Sequence, residues 1–237
     1  MNPRVLVVIP AHNEEQTVAQ VVLSVRRAMP DFDRVIVNDG STDATGDVLD
    51  QLGEKQLRLP CNLGYGRALQ TGLKYALKAG YEIVVCMDAD GQHKPEDAPS
   101  LVKELIAGKA DMVIGSRFCG NSIYRTSFMR RTGQWLFSYL TCALIGRRIY
   151  DTTSGFKALT AAACRVLIHG TFMDFHAETI VRLSLLGFRI VEQPITMDQR
   201  AFGRSMHSFK SVFQYPLKTL LLTIVAAMDA FMLRRER

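Results

Sequence analysis

Short runs of β-branched and aliphatic residues alternate with amphipathic segments of helical length through the first half of this 237-residue chain. The apolar runs are RVLVVI from residue 4, DRVIVND from residue 33, YEIVVCMD from residue 81 and ADMVIGS from residue 110. Continuous apolar strands separated by helices are typical of parallel strands that are buried on both faces. The alternation therefore predicts an α/β fold, with a doubly wound, mostly parallel sheet that has helices on both faces. The first helix is predicted from about Glu14 to Met29, with Asn13 as its N-cap.

The composition is that of a globular protein with enough residues for one large α/β domain. Hydrophobic residues make up 48% and charged residues 22% of the chain, which argues against intrinsic disorder. The five cysteines are scattered and odd in number, and none forms a C-x-x-C pair. This arrangement argues against structural zinc and against a disulfide framework, and it fits a reducing cytosol.

Positive charge is concentrated in the second half of the chain. Residues 1–118 carry 13 Lys and Arg against 16 Asp and Glu, whereas residues 119–237 carry 16 against 7. Such a basic half suits contact with anionic lipid or with phosphate groups. Few aromatic residues accompany the arginines and the sequence has no nucleic-acid-binding motif, so no nucleic-acid partner is predicted.

Polar residues follow each predicted strand at its C-terminal end. These segments are PAHNE at residues 10–14, NDGS at 38–41, DAD at 88–90 and GSR at 115–117. In open parallel sheets, ligands bind in the crevice beyond the carboxyl ends of the strands. The four polar strand ends together therefore predict a binding site at this edge of the sheet.

The segment DADGQH places two carboxylates, Asp88 and Asp90, directly after a buried strand. One explanation is a strand that ends in an Asp-Gly turn. The other is a divalent cation that holds a substrate phosphate and offsets the repulsion between the two carboxylates. Carboxylate oxygens, together with the amide oxygen of Gln92, are ligands for Mg2+ or Mn2+ rather than for zinc.

The second half contains two apolar helical stretches, and the later one lies near the C-terminus. Between Lys218 and Asp229 there are only ten uncharged residues, fewer than the roughly 18 of a membrane span. Asp229 within a span would cost about 2.5–3.5 kcal/mol. An amphipathic interfacial helix and a core helix both explain the pattern better than a span does. One helical face carries the large residues Leu217, Leu220, Leu221, Ile224, Met228 and Phe231.

Seven stretches, taken in order, resemble the family 2 glycosyltransferases of GT-A fold. They are VVIPAHNEE (7–15), VIVNDGSTDAT (35–45), NLGYGRALQTG (62–72), MDADGQH (87–93), IGSRF (114–118), DTTSGFKAL (151–159) and GFRIVEQPI (187–195). Within that family the chain is most similar to the dolichyl- and polyprenyl-phosphate sugar synthases. The resemblance implies a GT-A catalytic domain at 1–206, followed by a hydrophobic, membrane-associating helix at 207–237. Two departures are His12, where many relatives have Tyr, and a C-terminal helix that ends without paired membrane spans.

The resemblance also implies a set of site residues. For the metal it implies Asp90 and Gln92, with Asp88 near the ribose or the metal. For nucleotide-sugar binding it implies Pro10, Ala11, Glu14, Asp39, Asp88 and Arg117. For phosphate groups it implies Arg200 and Ser205, with Arg117 and Arg131 toward the acceptor phosphate. The candidate catalytic residues are Asp90, Arg200, Glu178 and Asp151, the last two as base or positioning group.

Several of these segments also have purely local explanations. Asp39 suits an Asx turn in Asn-Asp-Gly-Ser, and Glu14 suits the acidic first turn of a helix. His176 is assigned no role, because an ordinary helix histidine explains it. The segment NLGYGRALQTG lacks the third glycine of a dinucleotide-binding fingerprint, since Leu69 stands in that place.

The predicted function is an inverting, metal-dependent transfer of a hexose from a nucleoside-diphosphate sugar to a polyprenyl phosphate, dolichyl or undecaprenyl. Inversion is what the family implies. A lipid phosphate arrives already anionic, whereas a sugar hydroxyl needs a carboxylate within hydrogen-bond reach as its base. Two alternatives stay open: a glycan hydroxyl of a cell-envelope polysaccharide as acceptor, and a non-catalytic nucleotide-sugar-binding module. The predicted location is the cytoplasmic face of the membrane, bound peripherally to its surface; a membrane-protein partner or a homo-oligomer is left open.

Overall fold

A computed structural model describes residues 3–120, 128–170, 174–197 and 211–235. Within them, one mixed sheet has seven strands in the order β3-β2-β1-β4-β6-β5-β7. The strands are β1 (Val5–Ala11), β2 (Asp33–Asn38), β3 (Gln56–Arg58), β4 (Ile83–Cys86), β5 (Met112–Ser116), β6 (Lys157–Thr160) and β7 (Ile190–Pro194). Neighbouring strands are parallel except where β6 runs antiparallel to β4 and β5. The predicted mostly parallel sheet is confirmed.

Helices cover both faces of this sheet, as the alternation of apolar segments predicts. They are α1 (Val18–Ala28), α2 (Thr45–Gln51), α3 (Tyr65–Lys78), α4 (Ala98–Ile106), α5 (Phe128–Ile145), α6 (Ala161–Leu167), α7 (Ala177–Leu185) and α8 (Ser211–Arg235). In β1, Val7 and Ile9 belong to a core shared with α1, α2 and α4, whereas Leu6 and Val8 belong to a core shared with α3, α6 and α7. The period-two alternation of side chains along a strand produces these two cores.

The first helix begins later than predicted. It starts at Val18, and Thr17 rather than Asn13 precedes it. Asn13 has a φ of 55°, in the left-handed region that asparagine tolerates better than most residues, and its side-chain oxygen accepts a hydrogen bond from Thr42 N at 2.8 Å. Asn13 therefore ties the end of β1 to the loop after β2, and the predicted N-cap is wrong.

The sheet opens between β1 and β4 at their C-terminal ends. β1 pairs with β4 only from Val5 to Val8, while its pairing with β2 continues to Ala11. Helix α1, which leads from β1 to β2, packs on one face of the sheet, and α3, which leads from β3 to β4, packs on the other, so the gap between β1 and β4 is a topological switch point. The strand order therefore creates the crevice in which an α/β sheet binds its ligands.

The reversed strand β6 brings a distant part of the chain to the same edge. Its first residue, Lys157, pairs with Cys86 of β4 and with Ile114 of β5. Because β6 is antiparallel, the residues before it lie beside the C-terminal ends of its neighbours. Gly155 and the loop that begins at Asp151 consequently join the crevice.

The C-terminal helix α8 packs along α7 with small and polar residues and exposes its large apolar residues. Its buried residues are Thr219, Thr223, Ala226 and Ala230. Its exposed large residues are Leu221, Ile224, Val225, Met228, Phe231, Met232 and Leu233. A core role for this apolar face is therefore excluded for Leu221, Ile224, Met228 and Phe231, whereas the side chain of Leu217 lies outside the described residues.

An ion pair fixes α8 against α7. Arg182 of α7 is 7% exposed, and its guanidinium donates to the carboxylate of Asp229. Asp229, which a membrane span would disfavour, thus neutralises a buried arginine. Among the helices that the structure describes, none has the length and apolar character needed to cross a bilayer.

Candidate active site

Asp88 follows β4 at the mouth of the crevice, and its carboxylate is held on one side. The hydroxyl of Tyr65 donates to Oδ1 at 2.9 Å, and the side chain of Asp88 is 29% exposed. Gly155 lies against the other side, where an added Cβ would be 2.7 Å from Oδ1 and closer still to Oδ2. The backbone thus approaches this carboxylate more closely than any residue with a side chain would allow.

Asp90 and Gln92 form a tight turn after Asp88, as expected for a strand that ends in an Asp-Gly turn. Gln92 N donates to Asp90 Oδ1 at 3.1 Å, and Gly91 between them has a φ of 75°. Both side chains are partly exposed. A turn of this kind keeps two carboxylates and an amide on one short segment, which is compatible with ligand binding.

The oxygen atoms that the side chains at the end of β4 offer as metal ligands fit a hard divalent cation. In the described part of the chain no three His, Cys, Asp or Glu side chains gather into a group that could hold a metal by themselves. Asp88, Asp90 and Gln92 instead offer oxygens of a partial site, and such sites leave positions for substrate phosphates and water. The backbone of Gly155 packs against the carboxylate of Asp88, whose side chain stays 29% exposed. These residues would hold Mg2+ or Mn2+.

Asp39, at the end of β2, orders the loop that leads to α3. Its side chain is buried, with Oδ1 accepting from Leu63 N at 2.8 Å and Oδ2 from Gly64 N at 2.9 Å. The Asx turn predicted for Asp39 is therefore wrong; in this loop the neighbouring Asn38 side-chain oxygen accepts from Ser41 N at 3.0 Å. Each carboxylate oxygen can accept a second hydrogen bond, so a base-recognising role for Asp39 remains a prediction.

Pro10, Ala11 and Glu14 continue from β1 along the same edge. Pro10 and Ala11 are buried in the last residues of the strand, and Asp39 N donates to Ala11 O at 2.9 Å. Glu14 lies before α1, where one carboxylate oxygen accepts from the hydroxyl of Thr17 at 2.7 Å. The structure therefore brings these three residues and Asp39 to one side of the crevice.

Arg117 and Asp151 form a two-pronged ion pair. Nε and Nη2 of Arg117 donate to Oδ2 and Oδ1 of Asp151, each at 2.7 Å, and Nη2 also donates to the hydroxyl of Thr153 at 2.8 Å. Asp151 has no exposed surface. Burial alone would raise the pKa of Asp151, but the hydrogen bonds and charge of Arg117 lower it below its ordinary value. The two residues predicted to act on phosphate or as base thus bind each other.

A second buried group lies beneath the crevice, where α7 begins. Glu178 is fully buried, and its Oε1 accepts from Asp174 N at 2.9 Å and His176 N at 3.0 Å. Burial raises the pKa of Glu178 and lowers the pKa of the neighbouring Lys157, whose ammonium donates to the carbonyl of Phe175. Glu178 therefore fixes the backbone before α7 in this structure, and its catalytic role remains a prediction.

The remaining predicted residues lie wholly or partly outside the described residues. These are Arg200 and Ser205, and the side chain of Arg131 in α5. Met197, which precedes Arg200 by three residues, forms an antiparallel bridge with His93 of the DADGQH segment. The chain thus approaches the crevice before residue 198.

Four residues near Asp88 were not predicted from the sequence. Tyr65 and His93 contact Asp88 itself, and Gly155 and Lys157 come from the start of β6. All four lie inside stretches that carry the family resemblance, and Lys157 is also a charged residue in an apolar run. The pairing of β4 with β6 brings Gly155 and Lys157 to Asp88, whereas Tyr65 reaches it from the start of α3.

Comparisons with known proteins agree with this geometry. The family profile described as Glycosyl transferase family 2 matches residues 6–168. The undecaprenyl-phosphate mannosyltransferase of Micrococcus luteus is 34% identical over 215 residues, which cover 86% of this chain and 88% of that protein. The polyprenol monophosphomannose synthase of Mycolicibacterium smegmatis is 30% identical, over 88% and 83% of the two chains.

A third relative differs in the sugar that its name gives. It is a UDP-N-acetylglucosamine–dolichyl-phosphate N-acetylglucosaminyltransferase of Methanococcus voltae, 30% identical over 69% of this chain and 72% of that protein. Among solved structures, a glucosyl-3-phosphoglycerate synthase of Mycobacterium tuberculosis superposes with a TM-score of 0.70 at 20% identity, covering 97% of this chain and 80% of that one. This neighbour shows the GT-A fold. The chain belongs to glycosyl transferase family 2.

Proposed function

We propose that this protein transfers a hexose from a nucleoside-diphosphate sugar to a polyprenyl phosphate, with inversion and with help from Mg2+ or Mn2+. The observation that carries the proposal is the pair of partly exposed carboxylates, Asp88 and Asp90, at the switch point of the sheet. The names of three relatives, which specify undecaprenyl, polyprenol and dolichyl phosphate acceptors, support a lipid phosphate as the acceptor class.

The residues around the crevice would bind the nucleoside-diphosphate sugar. A bound cation supplies positive charge where negative charge builds on the departing diphosphate. Asp88, Asp90 and Gln92 would hold that cation, while Asp39 and Glu14 would contact the base and ribose. Crystals of the structural neighbour hold Mn2+ and UDP-glucose, which supports metal use in this fold.

The acceptor side is best explained by a nucleophile that needs no deprotonation. Asp151 is fully buried and bound to Arg117, and Glu178 is fully buried beneath the crevice. A general base must come within hydrogen-bond reach of the acceptor hydroxyl, and neither of these two carboxylates has exposed surface from which to do so, whereas a phosphate oxygen is anionic before it reacts. This observation favours a lipid phosphate over a glycan hydroxyl.

The exposed apolar side of α8 would bring the enzyme to its lipid acceptor. Met228, Phe231 and Met232 are each about 60% exposed on this side, and Arg234 follows them. Large apolar residues next to basic ones are typical of helices that lie in the interface of an anionic bilayer. We therefore place the protein peripherally on the membrane, with α8 of the 207–237 segment as the contact. The unpaired cysteines of the described residues suit the cytoplasmic face.

The proposal is tested by organic-phase partition of labelled sugar. Purified protein is incubated with Mn2+, undecaprenyl phosphate and one of four donors: GDP-mannose, UDP-glucose, UDP-galactose or UDP-N-acetylglucosamine. We expect metal-dependent label in the organic phase from one donor. Donor hydrolysis with no label in the organic phase would move the acceptor to a glycan hydroxyl. Donor binding without turnover would favour a binding module.

A further inference from the structure

The hydroxyl of Tyr65 is the side-chain donor that the structure gives to Asp88, and it comes from a separate element. Tyr65 is the first residue of α3, directly after Gly64, which has a φ of 91°. Its hydroxyl donates to Asp88 Oδ1 at 2.9 Å. A hydrogen bond to one oxygen selects one orientation of a carboxylate that could otherwise rotate.

The other side of Asp88 is held by close packing. The backbone of Gly155 lies against Oδ2, where a side chain would not fit, and His93 Nε2 lies 3.9 Å from that oxygen. His93 is itself held in place by Asp88 N, which approaches its Nδ1 at 3.3 Å, and by stacking on Phe156 at 5.1 Å. Tyr65, Gly155 and His93 together therefore fix the orientation of the Asp88 carboxylate, whose side chain is still 29% exposed.

The Tyr65 ring has its own support. It stacks on the imidazole of His176, with centroids 6.1 Å apart and planes within 9°. The side chain of His176 is partly buried, and desolvation together with the charge of Lys157 lowers its pKa to about 3. The imidazole that stacks on the Tyr65 ring is therefore neutral.

The position of His176 depends on the buried groups before α7. Glu178 accepts from His176 N at 3.0 Å, and Lys157 donates to the carbonyl of Phe175. Phe175 has a φ of 61°, a left-handed conformation that a bulky residue adopts only when its surroundings impose it. Lys157 and Glu178 are the groups that hold this segment.

We propose that Tyr65 is a positioning residue for the cation, acting through Asp88, and that His176, Lys157 and Glu178 hold Tyr65 in place. The inference rests on the proposed function, because it takes Asp88 and Asp90 as the cation site. In this inference the buried Lys157 and Glu178 support the nucleotide-sugar site by holding the segment before α7, and neither transfers a proton.

The test is Mn2+ binding to the whole protein, measured by electron paramagnetic resonance without any turnover. Tyr65→Phe keeps the ring and its stack on His176 but removes the donor to Asp88. We expect Mn2+ affinity to fall about 10-fold, the lower end of what loss of a partner of a metal ligand costs. Tyr81→Phe is the matched control, because the Tyr81 hydroxyl donates to Asp33 at 2.8 Å at the other edge of the sheet.

Two further variants separate this inference from the function on which it rests. His176→Ala is expected to weaken Mn2+ binding through Tyr65, and to have no further effect in the Tyr65→Phe background. Unchanged Mn2+ affinity in Tyr65→Phe, with affinity lost in Asp90→Ala, would overturn the role of Tyr65 alone. Unchanged affinity in Asp90→Ala would overturn the cation site and the role of Tyr65 with it.

Discussion

Single carboxylates at the end of β4 decide whether the crevice can hold a cation. We expect Asp90→Ala to lower Mn2+-dependent transfer about 100-fold or more, because a ligand of the charge-stabilising cation is lost. Its melting temperature should stay close to that of the wild type, since Asp90 is partly exposed. Asp31→Ala, which changes an exposed aspartate between α1 and β2, is the control. Normal turnover by Asp90→Ala would contradict the metal assignment.

Gly155 tests how closely the backbone must approach Asp88. In Gly155→Ala, the added methyl group would lie 2.7 Å from Asp88 Oδ1, so the carboxylate has to move. A displacement of about 1 Å at a reacting site can cost roughly 100-fold in rate, and we expect a loss of that order in kcat. Gly46→Ala in α2 meets only the side chain of Asn38, at 3.2 Å, and should keep its activity. Equal activity in both variants would show that Asp88 needs no such approach.

The ion pair of Arg117 and Asp151 is expected to stabilise the folded protein. Arg117→Ala leaves a fully buried carboxylate without its partner, and breaking such a pair typically costs about 3–5 kcal/mol of unfolding free energy. Arg189→Ala removes the more exposed pair with Asp111 and should cost at most about 1 kcal/mol. Urea unfolding at pH 7 measures both. Similar losses in the two variants would contradict a structural role for the buried pair.

The Arg117–Asp151 ion pair also makes the free energy of unfolding depend on pH. The pKa of Asp151 is lowered in the folded protein, so its contribution is complete above the ordinary pKa of about 3.9 and is lost as the pH falls through the folded value. In Arg117→Ala, burial without the arginine raises the pKa of Asp151, and the carboxyl group protonates at higher pH. We therefore expect the stability gap between wild type and Arg117→Ala to narrow as the pH drops from 7 to 4. A constant gap over that range would contradict this account.

Sequence reasoning located the site residues that follow predicted strands and missed those that reach the site by tertiary pairing. Asp39, Asp88 and Asp90 stand directly after apolar runs, so the rule for parallel sheets places them at one edge. Tyr65 is far from Asp88 along the chain, and its contact depends on how α3 packs. No local pattern records that packing.

At the scale of elements, long apolar runs were predicted well and short or glycine-rich segments were not. β1, β2, β4 and β5 lie where the alternation placed them. β3 has only three residues. Gly64 and Gly66 obscure the start of α3, so the sequence of this segment is recognisable as a motif but does not predict a helix. Packing against the sheet outweighs the low helix propensity of these glycines.

The antiparallel strand β6 is the element that changes the site most. Its sequence, KALT, is short and carries no signal of direction. Its reversal brings Gly155 and Lys157 to the edge where Asp88 lies. The floor of the crevice thus depends on a strand direction that periodicity cannot specify.

The exposed apolar residues of α8 are expected to contribute to lipid binding. Replacing Met228 and Phe231 together by serine should weaken binding to vesicles that contain anionic lipid by at least about 10-fold, because burying one such side chain is worth about 1.5–3 kcal/mol. Both residues are 61% exposed, so folding should be unaffected. Ile106→Ser, which changes an exposed residue at the end of α4, is the control in a vesicle sedimentation assay. Undiminished vesicle binding by the double variant would assign membrane contact to another surface.

The whole molecule combines a cation site at the switch point of the sheet with surfaces suited to an acceptor that is already charged. The sheet opens between β1 and β4, β6 and α7 close the floor of the crevice, and α8 presents apolar side chains outward. The burial of Asp151 and Glu178, the two candidate bases, then favours an anionic acceptor over a neutral alcohol, which needs a base within hydrogen-bond reach.

The most direct measurement compares undecaprenyl phosphate with undecaprenol as acceptors, using the donor that the partition assay identifies and saturating Mn2+. The two lipids share the same chain and differ only in the phosphate. We predict labelled product with the phosphate and none above background with the alcohol. Transfer to undecaprenol at a comparable rate would contradict the central claim, because a neutral alcohol needs a general base and the two candidate bases among the described residues, Asp151 and Glu178, are fully buried.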